Sequence, residues 1–396
     1  MTAPRRALRT PQRYQLNKHA IALITADHPW IFRDQLSTAA AALADGQWLA
    51  LYDGLNQIVG HGIYQAEGAV AIRVISRGPE RPTAASLGAA LDAAIERRAG
   101  LRAETDAVRV LHGENDGVPG VVIDVFAGVA VVQTYVPGTR ALGRWAAGRV
   151  AERLGLATVI EKPPRRGRGA GAAVRLLRGA GPLPEVVGFR EGPLTLAANP
   201  STGQKSGTFL DLRGLRRDLA ARSLAGQRVL DLFSYTGGLG RACEHAGARE
   251  IWHVDASEDA LVFGEAHHAA VADRHRWIEA DVFEWLPALD RAERFDVVIV
   301  DPPNMTSSKD QVPRVLGAYK KLYRTAQRHV GERGLLIACC CTSRVTRNEF
   351  RKTVGNALGG HFELERELTP EVDHPVRFPQ ADYLKVLIFR RRPPRS

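Results

Sequence analysis

Asp231-Leu232-Phe233-Ser234-Tyr235-Thr236-Gly237-Gly238-Leu239-Gly240 is the stretch whose reading decides the fold. Its first residues close an apolar, strand-like run over 228–232, and its last open a helical pattern over 239–246. A strand, a turn of small residues and a helix form the opening unit of a layered α/β domain. Small residues at a helix start let a backbone approach a ligand closely. The glycine spacing is not G-x-G-x-x-G, so a dinucleotide pyrophosphate is disfavoured.

Working outward, further strand-like runs lie at 251–255, 277–280, 295–301 and 335–341, with a late one at 383–389. Near-continuous apolar strands separated by helices predict a doubly wound, mostly parallel sheet with helices on both faces. In such a sheet, ligands sit at the carboxyl ends of the strands. Acidic residues recur at those ends. Asp231 stands in the first run and Asp255 closes the second, where a carboxylate can accept from both ribose hydroxyls. Asp281 follows the third, within reach of an adenine amino group, and Asp301-Pro302-Pro303-Asn304 closes the fourth. A nucleoside cofactor with no pyrophosphate to cradle suggests S-adenosylmethionine. The expected contacts are Asp231, Phe233, Ser234, Tyr235, Thr236, Gly237 and Gly238 from the turn, then Asp255, Ala256, Ser257, Asp281, Val282, Asp301 and Pro302. A strand-end Asp taken singly is as readily a helix cap. The ordered set at four strand ends carries the reading.

Upstream, two further blocks precede this domain. Residues 1–78 hold short alternating runs such as 48–52 and 69–75, parted by turn signals, and read as a β-rich module. Residues 79–193 open with a helical pattern over 87–102, followed by strand runs at 121–125 and 129–135 and a helix near 142–154. They read as a small α+β domain, and 194–396 form the third. The stretch 162–169 is basic and rich in Gly and Pro. Arg165, Arg166 and Arg168 within it are plausible phosphate contacts.

Charge points the same way. Of 396 residues, Lys and Arg number 54 against 43 Asp and Glu, a net charge of +11. A polyanionic partner is the natural inference. With 24% charged and 45% apolar residues the chain is globular in composition. It has no run of about 18 apolar residues, so a membrane helix is not expected. The N-terminal 17 residues are polar and Arg-rich with no apolar core, so secretion is not expected. Cys339, Cys340 and Cys341 are consecutive and Cys243 is the fourth. They cannot frame disulfides, and a cytoplasmic, reducing setting follows. Nor do they have zinc spacing, and no metal is expected.

Asp-x-Phe-Ser-Tyr-Thr-Gly-Gly, Asp-Pro-Pro and a cysteine-bearing fifth strand together resemble the bacterial ribosomal large-subunit RNA cytosine-C5 methyltransferases, the RlmI-like group within the class I methyltransferases. The resemblance runs along nearly the whole chain. His28-Pro29-Trp30-Ile31-Phe32 matches the start of that family's PUA domain, an RNA-binding β-barrel. Residues 113–120 match the opening of its central domain, 203–213 the segment before the methyltransferase core, and 373–376 and 383–385 its C-terminal end. The family's Glu-Glu-His signature is not preserved; Val187-Gly188-Phe189-Arg190-Glu191-Gly192 stands near its place.

The resemblance implies methylation of a cytidine at C5 in 23S rRNA or a large-subunit precursor. Cytosine C5 is a poor nucleophile, and a thiolate adding to C6 overcomes this. The resemblance selects Cys341, which precedes Thr342-Ser343, as that nucleophile. In a regular strand Cys339 shares its face but lies one step deeper, and Cys340 points the other way. Cys243 reads as packing. Asp301 is the second expected catalytic group, accepting from the cytosine amino group. Asn304 cannot stack a base as an aromatic residue would, which favours carbon over nitrogen chemistry. Lys205 is expected at the cofactor and Arg213 at the RNA; Tyr319-Lys320 recurs in the family without an assigned role. Two alternatives use the same fold: a purine N-methyltransferase acting on RNA, and a non-catalytic RNA-binding assembly factor. The sequence leaves dimerisation open.

Overall fold

The computed structural model describes residues 10–36, 43–163, 172–306 and 308–393. The chain divides into two compact units. The first comprises 1–189, 198–208 and 372–378, and the second 190–197, 209–371 and 379–396. Arg165, Arg166 and Arg168 lie outside the described residues.

The first unit holds two five-stranded sheets. β1 (Gln12–Gln15), β2 (Trp30–Phe32), β3 (Trp48–Tyr52), β4 (Ile58–Tyr64) and β5 (Val70–Arg77) pair in the order β1-β3-β4-β5-β2. Helix α1 (Lys18–Thr25) starts at Asn17, whose side chain accepts from the His19 and Ala20 amides. Alternation sends Ile31, Leu49, Leu51, Ile72 and Val74 into one small core.

Helices α2 (Ala84–Arg97) and α3 (Ala99–Glu104) precede the second sheet. It is formed by β6 (Ala107–His112), β7 (Val121–Phe126), β8 (Val129–Thr134), β9 (Thr158–Lys162) and β10 (Arg175–Arg178), with α4 (Arg140–Leu154) packed on it. The helix expected over 87–102 is broken at Arg98. Its guanidinium turns fully inward to donate to Asp116, to the Ala94 carbonyl and to the Arg109 carbonyl. A cation that deep requires its carboxylate partner, and a continuous helix would point it elsewhere. Strands β11 (Val187–Glu191) and β12 (Leu194–Ala198) pair with one another as a separate two-stranded sheet.

The second unit is built on seven strands. β13 (Arg228–Leu232), β14 (Glu250–Asp255), β15 (His275–Glu279), β16 (Phe295–Val300), β17 (Val330–Cys340), β18 (Phe362–Leu368) and β19 (Lys385–Arg391) run in the order β15-β14-β13-β16-β17-β19-β18. β13 to β17 pair in parallel, and β19 is antiparallel to both of its neighbours. This is the doubly wound α/β sheet expected from the buried apolar runs. α5 (Arg213–Ala220), α6 (Gly238–His245), α7 (Glu258–His268), α8 (Val282–Ala288), α9 (Val312–Ala326) and α10 (Arg347–Leu358) complete the layers.

Register places the functional positions. Leu232 pairs with Val254 and Val300, Asp255 with Glu279, and Val300 with Ala338. The segments that follow these strands therefore emerge along one edge of the sheet. Chain order reverses at β13, between β14 and β16, and the connections diverge there to leave a crevice. Among the described residues no helix is long and apolar enough to cross a membrane.

Candidate active site

The turn after β13 is held in a conformation its sequence does not favour. Phe233 (φ 61°), Tyr235 (φ 51°) and Gly237 (φ 73°) all occupy the left-handed region. Two of the three are bulky aromatic residues, for which this conformation costs of order 1–3 kcal/mol each, and such strain collects where a backbone must meet a ligand. The fold holds the turn from both sides. The Phe233 and Ser234 amides donate to the Val254 carbonyl, and the Tyr235 amide donates to Asp255 Oδ2 at 2.8 Å. Asp255 Oδ1 accepts from the Ser257 amide at 2.9 Å. A carboxylate has about four acceptor positions, so Asp255 keeps capacity for a vicinal diol while bracing the turn.

Asp231 is fully buried beneath the turn. Its Oδ2 accepts from the Gly240 amide at 3.2 Å and its Oδ1 has no protein partner. Burial, with Asp255 adding to it against the Gly240 hydrogen bond, pushes the carboxyl up to about 7. His253 stands 3.5 Å away, but burial and His275 hold its imidazole neutral, so Asp231 gains no countercharge from it. Ser234 Oγ, also buried, is likewise without a partner. The turn thus presents two orphaned buried oxygens, one of them on an acid that a neighbouring cation would ionise. That donor set fits a nucleoside carrying a cationic aminoacyl tail.

The remaining turn residues divide between ligand-facing and structural. Thr236 is buried, and its carbonyl accepts from His268 Nδ1. Gly238 starts α6 with open space around it, whereas Gly240 has none, because a Cβ there would enter the His253 ring. Gly240→Ala is expected to cost about 1–3 kcal/mol of stability through overpacking and to weaken cofactor binding, measured by thermal melting and calorimetry. Gly238→Ala should leave stability within about 1 kcal/mol of the parent, since glycine to alanine at a helix start adds no strain.

On the neighbouring strands, Ala256 is exposed and Ser257 caps α7 through the Ala260 amide. Asp281 caps α8, accepting from the Phe283 amide at 2.8 Å. The Val282 side chain lies in the hydrophobic core and does not reach the site. The residue that does is its neighbour. Phe283 is 43% exposed and stacks at a tilt on Phe233, with ring centroids 5.3 Å apart. An exposed aromatic ring beside the acidic strand ends was a signal in Asp281-Val282-Phe283 that attention to carboxylates alone passed over.

β16 and β17 bring Cys341 to the turn that follows Asp301. Asp301 follows β16, its amide donating to the Leu232 carbonyl, and Cys341 is the first residue beyond β17. Cys341 Sγ lies 3.5 Å from the Pro302 carbonyl oxygen. Of the four thiols only Cys341 is not buried. Burial pushes the Cys339 and Cys243 thiols well up and raises Cys340.

Thr342 ties these segments together. Its hydroxyl oxygen accepts from the Met305 amide at 3.3 Å and lies 3.0 Å from the Tyr319 hydroxyl. Its carbonyl accepts from the buried Lys385 ammonium at 3.0 Å. The Asp301–Met305 loop, α9 and β19 thus converge on the residue after Cys341, which accounts for Tyr319 and Lys385. Thr342→Val should therefore lower kcat by about 10- to 100-fold with cofactor affinity unchanged, because small misplacements of reacting groups carry penalties of that order. Paired kinetics and calorimetry check this.

One further expectation is corrected. Arg213 is 2% exposed and pairs with Glu191 (3.3 Å) and Glu371 (3.7 Å), so it is a buried tie in the second unit and presents nothing to RNA. Lys205 belongs to the first unit, where its carbonyl accepts from Gln133.

Comparison with known proteins gives a consistent picture. An S-adenosylmethionine-dependent methyltransferase family model matches residues 171–390, and a PUA-like domain matches 15–77. A ribosomal RNA large subunit methyltransferase of Deinococcus radiodurans is 31% identical, covering 98% of each chain. The ribosomal RNA large subunit methyltransferase I of Aeromonas hydrophila is 27% identical over 92% of this chain and 96% of its own. A solved methyltransferase complexed with SAH superposes with a TM-score of 0.82 over 96% of this chain and 99% of that one, at 21% identity, a likeness of fold.

Proposed function

The chain belongs to the family of S-adenosylmethionine-dependent ribosomal RNA large subunit methyltransferases, and from that membership we propose that it methylates C5 of a cytidine in 23S rRNA through a covalent bond between Cys341 and C6. The observation that carries the reading is the pairing of Cys341 with the Asp301-Pro302 turn, Sγ 3.5 Å from the Pro302 oxygen. A purine amino group attacks a methyl donor without nucleophilic help, so an N-methyltransferase has no use for a thiol there.

S-adenosylmethionine, when bound, supplies an electrophilic methyl group on a sulfonium. Asp255 would hold its ribose, Phe233 and Phe283 would flank its base beside Asp281, and Asp231 with Ser234 would face the aminoacyl end. Asp301 would accept from the cytosine N4 amino group and orient the ring. The Cys341 thiolate adds to C6, the C5–C6 double bond opens, and C5 becomes a carbon nucleophile facing the methyl. After C5 is alkylated a base removes its proton, and the electron pair returns to C5–C6 as the thiolate leaves. The buried Lys385 adds positive charge behind this turn; burial lowers its own pKa while the neighbouring Cys340 opposes that change. A cation in such a position favours thiolate over thiol. The target base must leave its stack to reach the crevice, at a cost of a few kcal/mol that is smallest for an unpaired nucleotide. The PUA-like domain would add RNA contacts.

The test is to incubate unmodified 23S rRNA with the protein and methyl-labelled S-adenosylmethionine, digest to nucleosides and identify the label by mass spectrometry. Labelled 5-methylcytidine is expected. A labelled N-methylpurine would keep the cofactor and remove Cys341 from the mechanism. Tight RNA binding without label would indicate an assembly factor.

A further inference from the structure

The outer face of α9 carries cations that no acid answers. Between 312 and 329 there is no Asp or Glu. The inner face of the helix is apolar, with Val315, Tyr319, Leu322, Tyr323 and Ala326 buried. Arg314, Lys321 and Arg324 are exposed on the outer face, and Arg328 continues them in the 3₁₀ turn that follows. Seven-residue spacing puts Arg314, Lys321 and Arg328 within about 40° of one another along roughly 21 Å of helix, with Arg324 about 80° from Arg314.

None of the four has an ion-pair partner among the described residues. Elsewhere in the same unit several arginines are paired. Arg222 holds Asp218 and Glu365, Arg228 holds Glu250 and Glu293, and Arg347 holds Glu367 and Asp382. Helix electrostatics do not explain an acid-free line of cations. Like charges three and four residues apart weaken a helix, and Arg314 in the first turn sits at the positive end of the dipole. The location is informative. α9 starts where the loop from Asp301 ends, and its Tyr319 reaches the residue after Cys341. The line of cations therefore begins at the edge of the sheet that carries the candidate active site and runs away from it.

We propose that this face of α9 is the track for the phosphate backbone of the RNA strand flanking the target base. The proposal rests on the reading of the protein as an RNA methyltransferase and assigns that site its backbone contact. Sequence-independent affinity for RNA comes from such contacts and falls with salt as counterions are released, with a slope of about 0.7 per phosphate for single strands.

The test uses the full-length protein and an unmodified 23S rRNA transcript. Binding is measured against salt concentration for the parent and for the variant Arg314→Gln/Lys321→Gln/Arg324→Gln/Arg328→Gln, whose substitutions are all on the surface. A second variant removes four exposed charges elsewhere on the same unit: Arg249→Gln/Arg276→Gln/Arg291→Gln/Arg333→Gln. The α9 variant is expected to bind roughly 10- to 100-fold more weakly at low salt, and its salt slope should flatten by about 2 to 3. Its kcat at saturating RNA and its affinity for S-adenosylhomocysteine should be unchanged, and the second variant should stay close to the parent. Equal losses in both variants would mean that net charge alone matters and would overturn the proposal. So would an α9 variant that binds RNA like the parent, or one that loses only binding to phosphatidylglycerol vesicles. A parent that neither binds nor methylates the transcript would instead overturn the functional reading itself, and the proposal with it.

Discussion

Cys341→Ala is expected to abolish methyl transfer, by roughly 10⁴-fold or more, while S-adenosylhomocysteine binds as tightly as before. The expectation follows from where the four thiols lie. Cys243 sits inside α6, and Cys339 and Cys340 are enclosed in β17, with their thiols held protonated by burial. Cys341 has left the strand and is partly open. Only there can a thiolate form and meet a base. Cys340→Ala makes the contrast, since it removes a core sulfur beside Tyr319 and Tyr323 and should lower stability with kcat within a few-fold of the parent. Methyl incorporation into rRNA, with calorimetric titration of S-adenosylhomocysteine, reads both effects. Undiminished activity in the Cys341 variant would end the assignment.

Asp231→Asn is expected to stabilise the cofactor-free protein at pH 8 while weakening cofactor binding. The Asp231 carboxyl is raised from its ordinary 3.8 to about 7 by burial. The folded state therefore holds a proton more tightly than the unfolded chain between those limits. That contribution to stability is fully present below about pH 4, shrinks as pH rises, and is gone above about pH 7. Each tenfold change in proton affinity is worth about 1.4 kcal/mol, so the whole effect is on the order of 4 kcal/mol. An amide of the same shape carries no such penalty. Urea unfolding should show the variant more stable by several kcal/mol at pH 8, the gap narrowing as the pH is lowered. The same substitution removes the anion facing the cationic cofactor, and a charged hydrogen bond is worth about 1.5–3 kcal/mol, so affinity should fall about 10- to 150-fold. For the parent, affinity should decline as pH drops through 7. Equal urea midpoints at pH 8 would contradict the placement of an ionised, uncompensated acid under the turn. Such an acid is a stability cost retained for function.

The parts of this site that were legible in the sequence share one property: they are local. Each central strand is a continuous apolar run because both of its faces are covered. Each acid follows its strand in the chain, so Asp255, Asp281 and Asp301 could be placed on one edge by counting. What escaped depends on partners far away in sequence. Arg213 reads as an exposed cation, yet Glu191 and Glu371 enclose it. Thr342 is unremarkable until Met305, Tyr319 and Lys385 arrive from three other segments. Phe283 was hidden by Val282, since both are apolar and only the helix phase decides which one turns outward. The break at Arg98 depends on Asp116, eighteen residues on. β18, Phe-Glu-Leu-Glu-Arg-Glu-Leu, was missed because an edge strand carries charge on its open side and resembles a solvated segment.

The most direct test of the central claim is mechanism-based trapping. RNA containing 5-fluorocytidine offers the same C6 to the thiolate, but fluorine replaces the C5 proton that must leave before the sulfur can. Incubated with the protein and S-adenosylmethionine, such an rRNA should yield a denaturant-resistant protein–RNA adduct whose peptide maps to Cys341, and the Cys341→Ala variant should yield none. An adduct on another residue, or methylation of unmodified rRNA with no trapping of the fluorinated one, would contradict covalent catalysis by Cys341.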